Sequence, residues 1–146
     1  MRLFFDTSAL VKFYHEEDGT DTISDLIRRP GNMLHISELA KLEFVSALHR
    51  RFRTGELKMG ELSDALSAFS EDIRRFNIEP LPDTVINEAK LLILEHGKYA
   101  GLRALDALQL ASFVLLNLED GVFVAADSIL IDVAERMGLK TFNPLG

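Results

Sequence analysis

The chain has no cysteine, which excludes disulfides, thiolate metal sites and thiol nucleophiles together and leaves oxygen and imidazole as the available metal ligands. Excess positive charge is also missing. A net charge of −7 argues against broad electrostatic affinity for nucleic acid or anionic membrane, though not against a local basic track beside an acidic pocket. No apolar run is long enough to span a bilayer: the most apolar stretch, 104–118, carries Asp106, Gln109, Ser112 and Asn117 and falls short of the roughly 20 residues required. Only three apolar residues separate Arg2 from Asp6, so no secretory h-region opens the sequence, and a cytosolic protein without membrane association is expected. Low-complexity tracts, linkers and fixed-period repeats are absent too. With 146 residues, 47% of them hydrophobic, the expectation is one domain, 1–146, with a real core.

The chain is organised around residues 2–14, RLFFDTSALVKFY. Leu3, Phe4 and Phe5 show no polar alternation, which suits a strand covered on both faces. Asp6 then stands at the strand's carboxyl end, and Thr7 or Ser8 caps a helix whose apolar side is Ala9, Leu10, Phe13 and Tyr14. In open parallel sheets ligands bind in the crevice outside the strand carboxyl ends, so this acid is well placed for chemistry. Asp-Thr-Ser is equally good turn and cap chemistry.

Further along, the spacing predicts a helix over 20–29, a strand over 33–36, and a helix capped by Ser37 that ends before Gly55. A strongly amphipathic helix covers 59–76. Prolines confine 77–82 to a short edge strand, and Asp83 or Thr84 caps a helix reaching Glu95. An apolar helix over 102–118, a strand over 122–125, a helix opened by Asp127 and stopped at Gly138, and a last strand over 140–142 complete the chain. Strands separated by helices imply right-handed crossovers and a three-layer α/β/α sandwich with a central, mainly parallel sheet. LFFDTSAL and VFVAADSIL share one order of apolar strand, acid, hydroxyl residue and helix, which puts Asp6 and Asp127 on the same rim if both strands are central.

Two further acids stand where a core is expected. Glu43 lies mid-helix among Leu39, Ala40, Ser46 and Ala47, and an unpaired buried carboxylate is costly enough to require a partner or a metal; a margin Glu pairing with an arginine is the alternative. Asp106 stands among Leu102, Leu105, Ala107, Leu108 and Leu110, away from the first turn where aspartate is at home; a surface pair with Arg103 is its alternative. Asp127 before a helix is also an expected N-cap. HRRFR at 49–53 suits phosphate contact, or simply the helix macrodipole. None of His15, His35, His49 and His96 stands at a metal-binding spacing with another.

With Asp6, Glu43, Asp106 and Asp127 in this order, inside DTSALVKFY, SELAKLEFVSAL, RALDALQLASF and FVAADSILIDVAERMGL, the sequence resembles PIN-domain ribonucleases, and among them the VapC toxins of type II toxin–antitoxin pairs. The resemblance implies a PIN-like sandwich, an acidic pocket for Mg²⁺ or Mn²⁺, endonucleolytic cleavage of RNA, a homodimer and a cognate VapB-like antitoxin. Asp6 and Asp106 match the principal metal-site carboxylates, Glu43 and Asp127 complete the pocket, and Ser8 matches the polar residue beside the first acid. There are two departures: Ala125 replaces a frequent Thr and Gln109 a frequent His. The residues suit this chemistry on their own terms, since Mg²⁺ keeps several waters and takes a few carboxylate oxygens. One rival is a phosphatase of the haloacid dehalogenase type, whose usual D-x-D is broken here by Ser8. A receiver-type phosphoacceptor domain lacks its opening acid pair and its late lysine. A PIN-like interaction module without catalysis is the rival from another class, and loss of acids would be its sign.

Overall fold

The computed structural model describes residues 1–146. Five strands form one sheet in the order β3-β2-β1-β4-β5, with every neighbouring pair parallel. They are β1 (Arg2–Phe5), β2 (Met33–Ser37), β3 (Asn77–Glu79), β4 (Gly121–Val124) and β5 (Thr141–Phe142). Between them run α1 (Thr7–Tyr14), α2 (Thr20–Arg28), α3 (Leu39–Arg53), α4 (Met59–Asp72), α5 (Asp83–His96), α6 (Ala104–Leu116) and α7 (Ser128–Arg136).

The three-layer arrangement can be followed through β1. Its alternate side chains point to opposite faces, so Leu3 and Phe5 join one buried cluster while Phe4 joins another. The first cluster packs α1, α2, α3 and α4 on the sheet; the second packs α5, α6 and α7 on the other face. Phe4 there lies against Phe123 of β4 and Phe113 of α6, with ring centroids 6.0 and 5.8 Å away. A strand with helices on both sides has no solvent face, which is why LFF carries no polar alternation.

Connectivity places the functional rim. From β1 the chain crosses to β2 and β3 on one side, then returns through α5 and α6 to β4 on β1's other side. The β1–β4 pair is therefore the topological switch point, where a crevice opens beyond the strand ends. The backbone N–H of Asp6 donates to Val124 O at 2.9 Å and holds the two strand ends together there.

The expected elements are present, with local differences. Thr7 already belongs to α1, and Asp6 is its N-cap, accepting from the Ser8 amide at 3.1 Å. Ser37 Oγ does accept from the Leu39 amide at 3.1 Å at the start of α3. The helix of 59–76 ends as α-helix at Asp72 and tightens into a 3₁₀ turn, Ile73–Arg75. Neither Asp83 nor Thr84 caps α5: Pro82 precedes the helix and Asp83 lies in its first turn, where its charge opposes the macrodipole's positive end. Gly138, at φ +77°, turns the chain out of α7 in a conformation that side chains disfavour.

Candidate active site

Asp6, Glu43, Asp106 and Asp127 are brought by α1, α3, α6 and α7 to one cleft of about 790 Å³ beside the switch point. A second cavity, about 570 Å³, opens at the other end of the strands between α2 and β5. It is lined by Leu3, Leu26, Val122 and Phe142 and holds only one carboxylate, Asp25. Convergent polar groups mark the first cleft as the place for chemistry.

Asp6 is only 6% exposed. Its Oδ2 accepts from the Ser8 amide and the Ser8 hydroxyl. Ser8 Oγ in turn accepts from the Ala126 amide at 2.9 Å, so one serine ties the β1 strand end to the loop after β4. Burial pushes the Asp6 carboxyl up to about 7 against the pull of the Ser8 hydrogen bonds, and the nearby charges of Glu43 and Asp106 push the same way.

Glu43 is fixed by two donors across three helices. Its Oε1 accepts from Thr7 Oγ1 at 2.9 Å and from Gln109 Nε2 at 2.6 Å, and Gln109 Nε2 also reaches Thr7 Oγ1 at 3.1 Å. Gln109 is wholly buried, and its Oε1 has no hydrogen-bond partner. Glu43 is half-buried at the cleft wall rather than sealed in the core, and its carboxylate has these two partners there. Neither is an arginine.

Asp106 differs from the expectation in one respect. Helix α6 begins at Ala104, so Asp106 stands in the first turn, where aspartate is favoured by the helix dipole rather than disfavoured by propensity. It does pair with Arg103, whose Nε lies 3.7 Å from Oδ2, but that guanidinium is 84% exposed and the pair contributes little. Burial and the charge of Asp127 nevertheless raise the Asp106 carboxyl, against the opposing influence of Arg103. Asp127 caps α7, with Oδ1 accepting from the Ile129 and Leu130 amides at 2.9 and 3.1 Å. The electrostatic couplings run Glu43 to Asp6, Asp6 to Asp106, and Asp106 to Asp127. The acids form a string.

No three acidic or histidine side chains are gathered tightly enough to make a ready cage for a bare ion. Glu43 is turned to Thr7 and Gln109, and Asp127 to the α7 amides. A hydrated hard cation needs less, since Mg²⁺ keeps several waters and takes one or two carboxylates. The donor set is all oxygen, and neighbours along the string repel one another, so the residues fit such an ion.

The cleft also contains cations. Lys12, Arg50, Arg51 and Arg103 line it together with the acids. Of the basic 49–53 segment, Arg50 and Arg51 face this cleft, whereas His49 Nδ1 lies 2.8 Å from Val45 O in its own helix. The other histidines pair locally: His35 with Glu79 at 3.1 Å, His15 with Glu17 at 3.7 Å and His96 with Glu95 at 3.9 Å. Thr7, Lys12 and the structural role of Gln109 escape sequence reasoning. Of these only Lys12 leaves a legible signal, since it lies one turn beyond Ser8.

The chain belongs to the PIN domain family, whose pattern matches residues 3–136. No curated protein matches it by sequence. Among solved structures it resembles Mycobacterium tuberculosis VapC20, a sarcin-ricin loop cleaving toxin, at 16% identity and a TM-score of 0.69, over 94% of this chain and 95% of that one. FitAcB from Neisseria gonorrhoeae aligns at 13% identity and a TM-score of 0.70 over 97% of both chains. Rickettsia felis VapBC2, solved bound to a DNA fragment from its promoter, aligns at 16% and 0.67 over 98% of both. At these identities the likeness is one of fold, and the five-stranded parallel sheet between two helical layers is that shared fold. No helix is long and apolar enough to cross a membrane.

Proposed function

We propose that this protein is a divalent-metal-dependent endoribonuclease, the toxin of a type II toxin–antitoxin pair. The observation that carries the reading is the string of four carboxylates, each from a different part of the chain, with Asp6 and Asp106 raised by burial and by their acidic neighbours. So much adjacent negative charge is unfavourable without a counter-ion. Family membership and the toxins that share the fold supply the reaction class.

In this reading Asp6 and Asp106 hold Mg²⁺ or Mn²⁺, with Glu43 and Asp127 at the two ends of the string. The ion, when bound, supplies an activated water and neutralises charge on the phosphate. The chain does the positioning. Ser8 orients the Asp6 carboxylate through two hydrogen bonds, Thr7 and Gln109 fix Glu43, and the α7 amides fix Asp127. A rigid set of carboxylates presents the phosphate in one orientation without reorganisation during reaction.

The partner is a small VapB-like antitoxin whose segment lies over the apolar rim at Leu42 and Leu105 and sets a basic side chain, Arg by preference, among the acids. Mn²⁺ affinity measured with and without antitoxin tests the insertion; unchanged affinity would contradict it. A homodimer belongs to the same proposal. The exposed apolar side chains of α3, Leu42 and Val45, and of α5, Ile86, Leu91 and Leu94, are available to it. Expression of the chain alone is expected to arrest growth, with new RNA ends that disappear in Asp106→Asn; arrest that persists in that variant would refute the nuclease reading.

A further inference from the structure

The acids occupy one part of the cleft, and a differently built group occupies another. Lys12 Nζ lies 3.0 Å from Glu17 Oε1, and Arg51 Nε lies 3.1 Å from Glu17 Oε2. The lysine side chain is 8% exposed, and those of Glu17 and Arg51 are about one-fifth exposed. Lys12 and Arg51 line the cleft but Glu17 does not, so the carboxylate grips both cations from behind. The other carboxylate in reach, Glu56, lies 4.0 Å from Arg51 Nε with its side chain 59% exposed, too distant and too solvated to cancel the second cation as Glu17 does. A surplus positive charge therefore remains on a sheltered wall, in a protein whose net charge is −7.

Helix geometry fixes where this charge sits. On α1, Lys12 is one turn past Ser8; on α3, Ala47 and Arg51 lie one and two turns past Glu43, with Ser46 and Arg50 alongside. The basic wall thus runs from Lys12, roughly 6 Å along α1 from Ser8, to Arg51, roughly 12 Å along α3 from Glu43. The intervening groove is lined by the small side chains of Ser46 and Ala47, which leaves room for a chain to pass. Clamping removes much of the side-chain entropy that a free lysine or arginine would lose on gripping a ligand.

We propose that Lys12 and Arg51, held by Glu17 and extended outward by Arg50, form a subsite for a phosphate of the RNA backbone adjacent to the phosphate at the acids. This inference rests on the nuclease reading and adds to it the direction of the bound strand, from the acid string along the α1–α3 groove. A clasp serving stability alone predicts something different, so the two separate experimentally.

The test uses the full chain carrying Asp106→Asn and a fluorescent single-stranded RNA of roughly 12 nucleotides, within the usual range of single-strand sites, titrated by anisotropy at several salt concentrations. Adding Lys12→Met or Arg51→Gln is expected to weaken binding about five- to tenfold and to reduce the slope of log affinity against log salt by about 0.7, the value of one single-strand phosphate contact. Lys12→Arg restores both. Glu17→Gln lowers the melting temperature while leaving RNA affinity equal or tighter, because it removes a negative charge and no cation. Arg50→Gln, exposed and outside the clasp, reduces the salt slope even if the clasp variants fail to fold. Folded Lys12, Arg51 and Arg50 variants with unchanged affinity and slope would overturn the subsite alone. A parent chain that binds no RNA would overturn the nuclease reading and the subsite with it.

Discussion

At the switch point burial, with like charge added, pushes the carboxyls of Asp6 and Asp106 up, whereas beyond the end of α1 Glu17 stands between Lys12 and Arg51. Burial works against Glu17 too, but hydrogen bonds from Arg51 and Lys12 outweigh it and hold its carboxyl down. The same side-chain chemistry is therefore strained at one end of the cleft and satisfied at the other. Strain of this kind persists only where the rest of the fold sustains it, and a perturbed group in a cleft is a mark of function. A satisfied clasp needs no ligand to be stable. In the proposed reading the acid string serves catalysis and the clasp holds a preformed surface.

The largest expected effect breaks the strained side. Asp6→Asn keeps an N-cap for α1, since asparagine caps as well as aspartate, but removes the charge. RNA cleavage is expected to fall at least about a hundredfold, the scale of losing one preorganised electrostatic group. In the metal-free chain at neutral pH the same change should raise the melting temperature by about 3 °C or more, because a disfavoured charge has gone. Loss of both activity and stability would mean that the carboxylate is structural.

Gln109→Leu tests whether Glu43 must be held. It removes one of two donors to a half-buried carboxylate, leaving Glu43 on Thr7 alone. Cleavage should drop about tenfold or more, as for a misplaced catalytic group, with a stability loss of about 1–3 kcal/mol. Gln109→Glu should be worse than Gln109→Leu, since it adds another like charge.

A smaller effect distinguishes the two ends by pH. The Asp6 carboxyl is raised from an ordinary 3.8 to about 7, so the fold favours its protonated form. That contribution to stability is complete below the ordinary value and is lost as pH rises towards about 7. Glu17 behaves oppositely: its carboxyl is lowered, so its contribution is present above the ordinary carboxylate range and disappears on acidification through its own lowered value. Urea denaturation of the metal-free protein between pH 4 and about 7 should show wild type losing stability relative to Asp6→Asn as pH rises. Parallel pH profiles for the two would contradict the assignment of strain to Asp6.

Much of the fold could be read directly from pattern. LFF without alternation and prolines around 77–82 pointed to β1 as covered on both faces and to β3 at the edge, as the sheet order has them. The local echo of DTSAL and ADSIL put Asp6 and Asp127 on one rim only if both strands were central; β1 and β4 are adjacent in the middle of the sheet, and both acids line one cleft. Pattern failed where the answer depended on contacts between distant segments. The Asp6 carboxylate, not Thr7 or Ser8, caps α1, because Ser8 is engaged with Asp6 and with the Ala126 amide 118 residues away. Nor does sequence reveal that Gln109 meets Glu43, or that Glu17 joins Lys12 to Arg51 across two helices. Asp106 lines the cleft, but it does not stand away from the first turn: the apolar run extends beyond the helix, which hides the acid's first-turn position from a reading of pattern.

In the proposed function the four separately delivered carboxylates act as one site for a divalent cation. Calorimetric titration of Mn²⁺ into the chelator-treated protein tests it without knowledge of the RNA target. The prediction is saturable binding that weakens at least about tenfold, or about 1.4 kcal/mol, in both Asp6→Asn and Asp106→Asn. No binding, or affinity unchanged in these two variants, would contradict it.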